Sequence, residues 1–172
     1  MARGSFLFSF SNIFYPDLSS SGKGEPFHAS SPLQIVFDKL QMFAHDMNLK
    51  PGAFLRIVGD ILPDARHFAI DLGDTYDNLA LHFNPRFNYR NCHNVVIYNT
   101  LYNEYFGKEI RDSYFPFQKG TRMEICIQLQ ETFFVVKLPD GYQFSFPNRT
   151  KITTIDYVGI HGDLTIRAIA FE

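Results

Sequence analysis

From residue 47 onward, apolar and polar positions alternate with a period of two. Phe54, Arg56 and Val58 alternate with Ala53, Leu55 and Ile57, and Phe68, Ile70 and Leu72 with His67, Ala69 and Asp71. The same rhythm returns in Met123, Ile125, Ile127 and Leu129, in Tyr142, Phe144 and Phe146, and in Leu164 and Ile166. Successive side chains of a strand point to opposite faces, so this pattern predicts strands with one face in a core. Turn residues separate the runs: Lys50-Pro51-Gly52, Pro63-Asp64, Gly73-Asp74, Lys119-Gly120, Pro147-Asn148 and Gly162-Asp163. Leu138-Pro139-Asp140-Gly141-Tyr142 predicts a hairpin. Many short strands with regular turns imply an all-β sandwich or barrel.

The first 44 residues read differently, as an N-terminal extension. Residues 1–32 are irregular and rich in Ser, Gly, Pro and Phe, and Ser19-Ser20-Ser21-Gly22-Lys23-Gly24 has the composition of a flexible linker. Ser31-Pro32 has the form of a helix start, and Leu33, Val36, Phe37, Leu40 and Phe43 follow at helical spacing. The expectation is a short amphipathic helix over 32–45, packed on a main domain spanning 45–172.

Composition narrows the function classes. Sixteen Lys and Arg stand against 18 Asp and Glu, without a basic or acidic run, which disfavours a nucleic-acid groove or a polybasic membrane contact. Phe is abundant at 19 residues, which suits pleated, half-buried surfaces. No stretch approaches the ~20 apolar residues of a transmembrane helix. Phe6-Leu7-Phe8 is interrupted by Ser9, and no clear small-residue cleavage site follows, so a classical signal peptide is not expected. Cys92 and Cys126 cannot build a disulfide framework and read as free thiols.

One segment carries candidate chemistry. In Leu79-Ala80-Leu81-His82-Phe83-Asn84-Pro85-Arg86, alternation sets Leu79, Leu81 and Phe83 on one face and His82, Asn84 and Arg86 in a row on the other. An imidazole, an amide and a guanidinium in a row offer hydrogen-bond donors and acceptors together. Pro85 lacks a ladder donor, which predicts an edge or the end of the strand. The next apolar run, Val95 to Tyr98, ends in Asn99. Glu109 and Arg111 then share a face of a third strand, where they can form a charge ladder with Arg86 if the strands are adjacent.

At this point the chain resembles the galectins. The family signature is His-x-Asn-Pro-Arg, then Val and Asn on the next strand, then Trp-Gly-x-Glu-x-Arg; here it reads His82-Phe83-Asn84-Pro85-Arg86, then Asn99, then Phe106-Gly107-Lys108-Glu109-Ile110-Arg111. Asn48-Leu49-Lys50-Pro51-Gly52, Phe115-Pro116-Phe117-Gln118, Val136 to Gly141 and Phe146-Pro147-Asn148-Arg149 also resemble prototype galectins. The resemblance spans about 47–172 and leaves out residues 1–44.

It implies a two-sheet antiparallel jelly-roll sandwich with a sugar groove across one sheet. His82, Asn84 and Arg86 would take the axial 4-hydroxyl of galactose, and Asn99 the 6-hydroxyl. Glu109 and Arg111 would hold the adjoining glucose or N-acetylglucosamine, with Arg86 bridging. Phe106 departs from the family's Trp, whose ring stacks on galactose, and implies weaker binding. The implied partners are β-galactoside glycans on glycoproteins or glycolipids, together with a second copy of the chain in a homodimer. The implied location is the cytoplasm, with export to the extracellular space without a signal peptide.

Neither cofactor nor metal is implied, since Cys92-His93 has no second ligand pair to complete a site. An enzyme is disfavoured. A glycosidase needs two carboxylates flanking the scissile bond, and this cluster offers only Glu109. The alternative is a galectin-fold interaction protein with lost or weak sugar binding.

Overall fold

The computed structural model describes residues 6–9, 34–38 and 41–172. The linker at 19–24 and the Ser31-Pro32 helix start lie outside these residues. Among the described residues there are fourteen strands and no helix.

The strands form two antiparallel sheets. One holds, in spatial order, β1 (Phe6–Ser9), β14 (Leu164–Phe171), β4 (Phe54–Ile61), β10 (Arg122–Leu129), β11 (Phe133–Lys137) and β12 (Gln143–Pro147). The other holds β2 (Gln34–Asp38), β3 (Gln41–His45), β13 (Tyr157–Gly162), β5 (Phe68–Thr75), β6 (Asn78–Tyr89), β7 (Cys92–Tyr102) and β8 (Tyr105–Phe106), while β9 (Ile110–Asp112) also pairs with β7. The core lies between them, where Leu55, Ile57, Ile125 and Ile127 of one sheet and Ile70, Leu72, Leu81 and Phe83 of the other are fully buried. The period-two reading of these strands is thus the one the fold uses. The hairpin at 138–142 also forms, with Gly141 N–H donating to the Leu138 carbonyl at 2.9 Å and Gly141 at a φ of 92° that favours glycine.

The helix predicted over 32–45 is not found. Gln34–Asp38 and Gln41–His45 are strands paired antiparallel, from Gln34↔His45 to Asp38↔Gln41. Met42 and Ala44 are buried, whereas Gln41 and His45 are exposed, so β3 has a period of two. Two causes outweigh the helical spacing. Ile35, Val36 and Phe37 favour extended backbone. The β13 backbone also offers β3 a ladder, from Val158↔Ala44 to His161↔Gln41.

Tyr98 is the largest fully buried side chain. Its ring stacks on Phe144 at 3.9 Å and meets Phe83 edge-on at 5.4 Å. Its hydroxyl has no hydrogen-bond partner among the described residues, and burial pushes its pKa far above the usual phenol value. An unpaired buried hydroxyl costs about 1–3 kcal/mol. Tyr98→Phe is therefore expected to stabilise the protein by about 1 kcal/mol, seen as a rise of roughly 2–4 °C in Tm. A lowered Tm would refute this.

Candidate functional site

His82, Asn84 and Arg86 project from β6 on the side away from the core, since Leu79, Leu81 and Phe83 between them are buried in it. Together with Asn99, Phe106, Gly107 and Glu109 they line a single groove, whose lining also includes His67, Tyr89, Arg90 and His161. The β6–β7 register sets His82 opposite Asn99. Arg111 lies opposite Ile97 on the far side of β7.

Pro85 does not mark an edge or a strand end. It lies within the twelve-residue β6, which has β5 on one side and β7 on the other. The β5–β6 register at Ile70↔Phe83 recurs at the His67↔Arg86 bridge, and so sets Pro85 opposite Phe68. A proline there gives the Phe68 carbonyl no backbone donor. The Asn84 side chain supplies one instead, its Nδ2 donating to Phe68 O at 2.5 Å.

That bond fixes the amide. Asn84 Nδ2 also lies 3.3 Å from His67 Nδ1, and Asn84 Oδ1 accepts from Arg86 Nε at 2.7 Å. The guanidinium is buried, with Nη1 3.5 Å from Cys92 Sγ and its carbon 5.7 Å from the centre of the Tyr89 ring. Its remaining N–H groups and the second lone pair of Asn84 Oδ1 are available to a ligand.

The expected charge ladder between Arg86 and Glu109 does not form, because β7 separates β6 from the strand that carries Arg111. Glu109 pairs with Arg111 instead, Oε2 accepting from Nε at 3.0 Å and from Nη2 at 2.9 Å. This pair is exposed, so it adds little to stability; both donors of that guanidinium edge are taken by one carboxylate oxygen, which leaves Oε1 outside the pair. Arg86 and Arg111 do converge on one atom, Cys92 Sγ, at 3.5 and 3.8 Å. Cys92 opens β7 just after a tight turn in which Arg90 and Asn91 both have positive φ.

Asn99 is held by backbone on both sides. Its Oδ1 accepts from Thr100 N–H at 2.8 Å and its Nδ2 donates to Gly107 O at 3.0 Å, which leaves one N–H and one lone pair for a ligand. Gly107 is closely packed, since a Cβ there would come within 2.8 Å of Thr100 Oγ1 and 3.3 Å of Asn99 Oδ1. The neighbouring loop is tied by Arg149, whose Nη1 donates to the Lys108 carbonyl at 2.7 Å. Phe106 stands at the groove wall, 56% exposed, its ring 5.2 Å from the His82 imidazole. Tyr105 beside it is more exposed still and does not line the groove.

All seven residues singled out from the sequence are thereby accounted for: six line or flank one groove, and Arg111 joins it through Glu109. Four more were not singled out. Asp71, on the strand beside His82, is buried and holds two imidazoles, with Oδ1 2.6 Å from His82 Nδ1 and Oδ2 2.9 Å from His161 Nε2. Burial alone would push the Asp71 carboxyl up, but the hydrogen bonds to His161 and His82 outweigh it and hold the group below the usual carboxylate range. His67 stacks on Tyr89 at 3.8 Å, and Arg66, Arg86 and Arg90 all lie within 5.7 Å of that ring. Burial lowers the His67 pKa, and His161, Arg86 and Arg66 add to the effect against the opposing pull of Asp163.

Residues 41–171 match the model of the galactoside-binding lectin family. The chain belongs to that family, the galectins. Galectin-1 of Sus scrofa is 44% identical over 131 residues, which cover 76% of this chain and 97% of the relative. A beta-galactoside-binding lectin of Gallus gallus is 42% identical over 127 residues, covering 74% and 93%. Among solved structures, toad ovary galectin in complex with thio-digalactose superposes with a TM-score of 0.75 at 33% identity, over 78% of this chain and all of the other. CG-16, a homodimeric agglutinin from chicken liver, superposes at 0.74 and 36% identity, over 77% and 99%. The galectin match begins at Gln41, at the start of β3, so β1 and β2 lie ahead of it.

Proposed function

We propose that this protein is a β-galactoside-binding lectin that reads the hydroxyls of galactose in lactose- and N-acetyllactosamine-type glycans. The observation that carries the reading is the row His82, Asn84 and Arg86, fixed on one sheet face beside the Phe106 ring. A hydroxyl donates once and accepts twice. An axial 4-hydroxyl can accept from the Arg86 guanidinium and donate to His82 Nε2 or Asn84 Oδ1. An equatorial epimer would leave those buried groups unpaired, which is how such a site discriminates. Asn99 suits the 6-hydroxyl, and the exposed Glu109–Arg111 pair suits the second sugar.

The test is retention on lactose-agarose with elution by lactose and not by sucrose. No retention, together with no calorimetric heat at millimolar lactose, would overturn the reading in favour of a galectin-fold interaction protein.

Phe106 limits affinity in this proposal. A phenyl ring covers roughly 40 Å² less of the sugar than an indole, about 1 kcal/mol at ~25 cal/mol/Å². Phe106→Trp is expected to bind lactose about five-fold more tightly by calorimetry. Equal or weaker binding would show that the ring is not the floor of the site.

The protein also pairs with a second copy in this reading, as the chicken-liver agglutinin does. Two sites per dimer would let modest affinities crosslink glycoproteins. Light scattering behind size exclusion should give a dimer mass, and a monomer at micromolar concentration would refute it.

A further inference from the structure

We infer that Asp71 is the positioning residue of the sugar site, fixing which nitrogen of His82 carries the proton, and that His161 holds Asp71 in that task. This rests on the lectin reading above and adds to it two residues outside the galectin signature.

The argument is one of hydrogen-bond accounting. An ionised carboxylate only accepts hydrogen bonds. His82 Nδ1 lies 2.6 Å from Asp71 Oδ1, so that nitrogen must carry a hydrogen. In the neutral imidazole the other nitrogen, Nε2, is then a bare acceptor. The opposite tautomer would set the Nδ1 lone pair against a carboxylate oxygen. Nε2 faces the groove as the acceptor for a sugar hydroxyl, while Arg86 supplies donors. Without Asp71 the ring would sample both tautomers, and one of them presents a donor where an acceptor is needed.

His161 completes the arrangement. Its Nε2 donates to the second carboxylate oxygen at 2.9 Å, so both oxygens of Asp71 are engaged. Asp71 is 7% exposed and His161 lines the groove, so the carboxylate is screened from solvent by the two rings it holds. The backbone supports the geometry through adjacent ladders, Asp71↔His82 between β5 and β6 and His161↔Ala69 between β13 and β5. Tyr157, at the start of β13, is the remaining titratable group against Asp71; burial and the Asp71 charge together push its hydroxyl up to about 12, so it remains protonated.

The test uses the full chain, labelled with ¹⁵N. A long-range ¹H–¹⁵N spectrum without ligand should show His82 with a protonated Nδ1 and a bare Nε2, the signals being assigned with His82→Gln and His161→Gln variants. Lactose calorimetry then follows. Asp71→Ala should lose roughly 10–100-fold in affinity, the scale on which carboxylates that orient metal-ligating histidines act. Asp71→Asn, whose amide oxygen can still accept from Nδ1–H, should recover most of the loss. His161→Ala should weaken binding several-fold, with tautomer mixing visible at His82.

A His82 protonated at Nε2 in the unligated protein would overturn the inference, whether or not Asp71→Ala folds. So would Asp71→Ala binding as tightly as the parent, or Asp71→Asn binding as weakly as Asp71→Ala. A parent protein with the expected tautomer but no lactose binding would sink the lectin reading and the positioning role together. Lactose binding with the wrong tautomer would sink the positioning role alone.

Discussion

Arg86→Lys is expected to lower lactose affinity roughly 10–100-fold while leaving the Tm within about 2 °C of the parent. The charge survives this change, so a loss must come from geometry. Arg86 uses Nε to hold Asn84 Oδ1 at 2.7 Å, turns Nη1 toward Cys92 Sγ, and keeps its remaining N–H groups for the groove. A lysine has one compact ammonium head and cannot do both. Either Asn84 loses its partner or the ligand loses its donor, and a hydrogen bond to a charged group is worth about 1.5–3 kcal/mol. Stability should hold because the guanidinium faces the groove and not the core. Calorimetry with lactose and a thermal melt decide it. Binding within three-fold of the parent would show that charge alone suffices.

Gly73→Ala is expected to be the most disruptive small substitution in the sugar-binding sheet. A Cβ at Gly73 would sit 2.0 Å from the Asn78 carbonyl oxygen and 3.0 Å from Leu79 Cα, both backbone atoms of the facing strand. No rotamer change relieves that contact. The register between β5 and β6 is irregular here, shifting between Leu72 and Gly73 and again before Thr75, which brings the two chains together. Opening this hairpin should cost about 3 kcal/mol, at the upper end for overpacking, and lower the Tm by roughly 6–12 °C. Asp71 and His82 sit on the same two strands, so sugar binding should weaken as well. A Tm within 2 °C of the parent would mean that the strands can separate there at little cost.

The two substitutions differ in how visible their sites are in the sequence. His82, Asn84 and Arg86 share one strand, so alternation alone orders them, and Leu81 and Phe83 confirm the face. Asp71 looked like a polar position in an apolar run, because its partners lie 11 and 90 residues away and only the sheet registers bring them together. The Arg86–Glu109 ladder failed for a related reason: whether two strands are neighbours is a property of topology, and β7 intervenes. At 32–45 the apolar residues satisfied helical spacing but also form short contiguous runs, Ile35 to Phe37 and Met42 to Ala44, that a strand accommodates equally well. The choice fell to an open ladder on β13, which no local pattern reveals. Pro85 was misread because its rule concerns the backbone donor alone, while a neighbouring side chain supplied the replacement.

That replacement has a consequence for transplanting or redesigning the site. The anchor of Asn84 is a main-chain acceptor left vacant by a missing proton, so the specificity of the groove is written partly in what the backbone omits. Restoring an ordinary amide at position 85 would add a competitor for the Phe68 carbonyl and release Asn84 from its post, although nothing that touches the sugar had changed. A graft that copied every contacting side chain onto another sheet, and left the proline behind, would carry the letters of the recognition code without its punctuation.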